Sequence, residues 1–145
     1  MPALTRRRRT AALAGGVMIV LAASQGAAAA TPASGVTGTI LARRTVGGTD
    51  HVLRELVIAP GGTTGWHFHD GPVRAVVKRG TLTHNAADCS LDGTYRRGDV
   101  IVEPAGHVHI GRNLGSTPLV LTAVYTLPHG SPPARDAPNP GCDFQ

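Results

Sequence analysis

A chain of 145 residues with 41% apolar residues has room for one globular domain, and 19 Gly and 11 Pro against 3% aromatics disfavour a helical build. That bias suits many short strands joined by tight turns. The net charge of +5 does not imply a nucleic-acid partner: four of the 14 basic residues are Arg6–Arg9, in a segment expected to be removed, and without them ten basic residues face nine acidic ones.

The first 30 residues read as a cleavable secretory signal. A basic run, Arg6–Arg9, precedes apolar Ala11–Ala23 and the small-residue stretch Ala27–Ala30, with a cut expected after Ala30. The apolar stretch is shorter than the roughly 20 residues a spanning helix needs, so no stable membrane anchor is expected. The paired arginines suit a twin-arginine route, and the general secretory route stays open. Either way the mature chain is expected to be secreted or extracytoplasmic. In an oxidising compartment Cys89 and Cys142 read as one disulfide. That bridge would pin a tail whose five prolines, Pro128, Pro132, Pro133, Pro138 and Pro140, keep it out of a sheet.

After a short linker at residues 31–38, β-rich runs alternate with turn clusters. The runs are Val36–Val46, His51–Ala59, Thr63–His69, Val73–Lys78, Thr81–Ala86, Tyr95–Arg97, Val100–Glu103, His107–Arg112 and Leu119–Leu127. Short strands at such intervals predict an all-β sandwich or closed barrel. No helical run follows the signal, there is no internal repeat, and no nucleic-acid-binding module is present.

Within Thr63–His69, alternation puts His67 and His69 on one face of a strand and Trp66 and Phe68 on the other. A same-face histidine pair offers two ligands to one metal. His109 follows Pro104-Ala105-Gly106 in a later run. The order Gly61, His67, His69, Gly80, and then Gly98, Pro104, Gly106, His109, Asn113, resembles the two motifs of the cupin superfamily.

The resemblance covers about residues 39–127 and implies a single cupin-type β-barrel, a double-stranded β-helix or jelly roll, with residues 128–145 as a proline-rich tail. It also implies one divalent transition metal (zinc, iron, copper or nickel) held by His67, His69 and His109. Gly61, Gly80, Gly98 and Gly106 are then turn glycines, and Asn113 ties down a turn. The family's glutamate falls at Val73, so the carboxylate ligand is missing from its usual place. A three-histidine centre suits dioxygenase- or isomerase-like chemistry on a small molecule. The alternative is a non-catalytic small-ligand binder with a structural metal or none.

Other residues carry expectations of their own. His107, two before His109, is expected at the rim, with a ligand or proton-shuttle role as the alternative. Arg74 is expected to point outward, the alternative being an inward anion contact. Glu103 is an alternative source of the missing carboxylate, from the second motif. His51, His84 and His129 lack a partner pattern and read as surface or loop residues. Ser90, Ser116 and Ser131 show no triad pattern. Trp66 and Phe68 need covering, by an amino-terminal strand or by a second subunit in a homodimer.

Overall fold

The structure, a computed structural model, describes residues 29–145. The expected signal therefore lies, as far as residue 28, outside the described residues. The rest forms ten strands: β1 Ser34–Val46, β2 Thr49–Thr63, β3 His67–Phe68, β4 Val73–Arg79, β5 Thr81–Ala86, β6 Leu91–Arg96, β7 Val100–Glu103, β8 His109–Arg112, β9 Leu119–Pro128 and β10 Arg135–Asp136. All pairings are antiparallel. One half runs β1-β2-β9-β4-β7, the other β10-β3-β8-β5-β6, and they join where Thr63 of β2 meets Arg112 of β8. This is the expected all-β jelly-roll barrel.

Alternation along each strand builds the interior row by row. In the first half, Val52, Tyr125, Val73 and Glu103 lie opposite one another across β2, β9, β4 and β7. The next inward row is Arg54, Ala123, Ala75 and Ile101. A third joins Leu56, Leu121 and Val77. Ile58, Val77, Leu82, Ile101 and Leu119 close one end as a packed core. The smaller Ala75 and Ala123 leave the middle open.

Four local expectations change. Thr63–His69 is not one strand: β2 continues through Pro60-Gly61-Gly62, the chain breaks at Thr64-Gly65, and only His67–Phe68 pair as β3. The expected turn at Pro60–Gly62 is instead a bulge inside β2, between the pairs Ser34–Thr63 and Val36–Ile58. The stretch expected as a linker is structured: β1 starts at Ser34, and the buried Thr31 hydroxyl accepts the Trp66 amide at 2.7 Å.

The cover over Trp66 is the fourth. Trp66, fully buried, packs with Ile110 and Ala137, and Phe68, Val108, Cys142 and Phe144 lie against them. The Phe144 ring stacks 5.9 Å from Trp66. The chain's own tail is the main lid, fixed by the Cys89–Cys142 disulfide, so these aromatics give no argument for a second subunit. The sequence suggested a partner because the tail has no strand pattern to mark it as packed.

Two motif positions hold the barrel ends. Gly80 has φ +78°, and a Cβ there would meet the backbone of Pro118 and Leu119 at 2.9 Å. Asn113, 1% exposed, donates to the carbonyls of Ile58 and Thr117 and accepts from the Gly115 amide. It ties β2 to the turn before β9.

Candidate metal centre

His67 and His109 face each other across β3 and β8 as a register pair, with ring centroids 4.3 Å apart. His69 sits just past β3, its ring 4.8 Å from His67 and 5.3 Å from His109. One ligand atom from each of the three lies within 4.8 Å of the others, and all three residues are buried. The two sequence motifs are also joined through the backbone: the Gly106 amide donates to the His69 carbonyl at 2.8 Å.

The second nitrogen of each ring decides what the site can do. Nδ1 of His67 donates to the Gly65 carbonyl at 3.0 Å, that of His69 to Pro133 at 2.6 Å, and that of His109 to His107 at 2.8 Å. A carbonyl only accepts, so each Nδ1 carries a proton and each Nε2 is left to face the cavity, where in the neutral ring it offers a lone pair. Backbone partners of this kind orient metal-binding imidazoles. Burial holds His109 down to about 3, against the pull of Glu103, and also lowers His67, against its bond to Gly65. Both rings are therefore neutral at pH 7, as a metal requires.

Glu103 supplies a carboxylate after all. It lies directly opposite Val73 in the β4–β7 ladder, so the group absent from Val73 enters from the neighbouring strand. Its oxygens lie 3.1 Å from His69 Nε2, 3.4 Å from His84 Nε2 and 3.5 Å from His109 Nε2. Burial alone would raise this carboxyl, but the imidazoles of His69, His84 and His109 around it outweigh that effect and hold the group well below the ordinary carboxylate range.

His84 corrects a surface expectation. It is 4% exposed, inward on β5 beside Leu82, and its Nδ1 is 2.8 Å from Asp92. Burial would lower it, but Glu103 and Asp92 turn the shift upward. With Glu103 and His109 it forms a second candidate ligand group sharing His109 with the first. The other expectations resolve simply. His107 is exposed and contributes its carbonyl, not its ring. Arg74 is exposed on the outer face of β4, and His51 is exposed. His129 is exposed and paired with Asp50 at 2.9 Å.

The site's own geometry tests whether a metal fits. Nε2 of His84 and of His109 are buried without a hydrogen-bond partner among the described residues. In a neutral ring with Nδ1 protonated, His69 Nε2 is an acceptor like the Glu103 carboxylate, yet the two stand 3.1 Å apart. Two acceptors repel at that distance unless a cation, proton or metal, lies between them. Neutral nitrogens with one carboxylate suit zinc, iron, copper or nickel.

The histidines sit at one side of a cavity of about 190 Å³. Its walls include Val36, Leu56, Leu82 and Leu121, with Arg54 and Tyr125 among the polar lining. An engineered apolar cavity of about 150 Å³ accepts benzene, which sets the scale of a ligand here.

Comparison with known proteins agrees with this fold. The sequence profile of the cupin domain family matches residues 54–125. No curated protein sequence matches the chain. A cupin domain from Bordetella pertussis Tohama I is 25% identical over 66% of this chain and 95% of its own, with TM-score 0.55. A cupin-like protein from Thermotoga maritima MSB8 is 20% identical over 80% of this chain and 90% of its own, with TM-score 0.60. The polyketide cyclase RemF from Streptomyces resistomycificus is 22% identical over 86% of this chain and 90% of its own, with TM-score 0.58.

Proposed function

This chain belongs to the cupin superfamily, and on that premise we propose that it binds one divalent transition metal through His67, His69, His109 and Glu103 and acts on a small molecule in the barrel cavity. The observation that carries this reading is the fixed tautomer of the three imidazoles, whose Nδ1 atoms all donate to backbone carbonyls. Such a metal supplies Lewis-acid or redox chemistry.

The chain's own groups do the rest. The three carbonyls hold the rings still, Glu103 offsets part of the cationic charge, and the apolar wall limits the water that competes with a ligand. His84, held by Asp92, aims Nε2 at Glu103 and braces it. A purely non-catalytic module no longer follows from Val73, because the carboxylate enters at Glu103. Export is part of the proposal: the basic-then-apolar amino terminus and the Cys89–Cys142 bridge both favour an oxidising compartment.

Metal analysis of protein purified from metal-replete medium tests the centre. About one metal per chain, lost in His67→Ala, is the expected result. A folded wild-type protein carrying no metal overturns the proposal.

A further inference from the structure

Arg54 is out of place in an apolar interior. Its row across the sheet is Ala123, Ala75 and Ile101, and the rows on either side are apolar except for Tyr125 and Glu103. Its side chain lines the same cavity as the histidines. Room for it is built in: a Cβ on Gly38 of β1 would collide with the guanidinium Nη2.

Nothing in the barrel neutralises this cation. Among the described residues no carboxylate lies within ion-pair distance of Arg54, and its Nε is buried without a hydrogen-bond partner. The guanidinium carbon stands 5.4 Å from the Tyr125 ring centroid. That contact supplies no acceptor for Nε, so a purely structural role as a cation–π partner does not account for this donor. A buried charged donor left unpaired is costly, and a planar guanidinium fork matches a carboxylate.

The path back to the histidines is short. Tyr125 also stands edge-on to His69, with centroids 5.6 Å apart. A ligand lying along Tyr125 therefore reaches from Arg54 to the histidine cluster. Among the described residues, Arg54 is the one arginine or lysine of the lining, and a single guanidinium fork matches the single charge of a carboxylate.

We propose that Arg54, flanked by Tyr125, is the anion anchor of the cavity, and that its ligand is a small carboxylate, about the size of a substituted benzene ring, whose far end meets the histidine centre. This rests on the reading of the cavity as the functional site and names the ligand class that site takes.

The test titrates the metal-loaded full chain with matched pairs, acetate against acetamide and benzoate against benzamide. Calorimetry reads affinity, and the Arg54 Nε–H signal in a nitrogen–proton NMR spectrum reads the contact. At least one carboxylate is expected to bind tenfold or more tightly than its amide and to shift the Arg54 signal. Arg54→Met is expected to erase the preference while metal per chain stays unchanged. The wild-type NMR signal serves even if that variant folds poorly. Equal binding of acid and amide, binding of neither, or an unmoved Arg54 signal overturns the anchor. An anchor that works in protein found to carry no metal sustains it while the metal reading fails. A normal metal content without carboxylate preference removes the anchor alone.

Discussion

Removing the disulfide, in Cys89→Ser/Cys142→Ser, separates two tasks of the tail. The bridge spans 53 residues, and closing a loop of that size is worth about 4 kcal/mol in the chain-entropy account. For the 117 described residues, 29–145, the unfolding entropy is about 0.25 kcal/mol/K, so Tm is expected to fall by about 15 °C. The second effect is local. The tail covers Trp66, the single tryptophan, and supplies the Pro133 carbonyl that fixes His69 Nδ1 at 2.6 Å. A released tail exposes the indole, reddening its emission, and frees the His69 ring, weakening metal binding by about 10- to 100-fold. Thermal melts followed by Trp66 fluorescence, with zinc competition against a chelating dye, measure both. An unchanged Tm and emission would show that the tail stays docked without its bridge. A freed tail with unchanged metal affinity would refute the part assigned to Pro133.

Two further outcomes follow from named contacts. Glu103→Val is expected to lower metal affinity at least about tenfold, and adding Val73→Glu to restore most of it, since the two positions face each other across β4 and β7; no recovery in a folded double variant, measured by the same zinc competition, would separate the carboxylate from the centre. Asp50 is held well below the ordinary carboxylate range by the Thr45 hydroxyl, His129 and the Gly130 amide. Its contribution is present in full above its unfolded value, about 3.9, and is lost as the pH falls through the lower folded value. Asp50→Asn should therefore melt below wild type at pH 7, with the gap closing progressively under about pH 4; a constant gap down to pH 2 would refute this.

What the sequence made legible is what depends on spacing along one strand. Alternation put His67 and His69 on one side and Trp66 on the other, and that is how the chain folds. What escaped depends on which strands become neighbours. Periodicity says nothing of pairing partners or register. His84 enters the site only because β5 pairs with β8, setting His84 beside Gly111 and Ala86 beside His109. A weak signal was present: His84 shares a strand face with Leu82, so a buried leucine implies a buried histidine. The tail escaped for another reason. Its prolines exclude strand pattern, so only Cys142 and nearby Phe144 hinted that it packs at all.

Glu103 shows why a missing motif residue need not mean a missing group. Directly opposed side chains in an antiparallel pair stand about 5 Å apart at Cβ and project into the same space. A carboxylate on either strand can therefore enter the same space, provided its opposite number is small and apolar. Val73 meets that condition, buried beside Tyr125 with no polar atom of its own to satisfy. The transfer has a consequence for the centre. Entering from β7, the carboxylate touches His84 as well as His69 and His109, and so draws a fourth imidazole into contact with the candidate ligand set. The chain thus differs from a plain three-histidine centre by two residues that depend on each other. Glu103 gives His84 a reason to be buried, and His84, anchored on Asp92, holds Glu103 where Val73 leaves room for it.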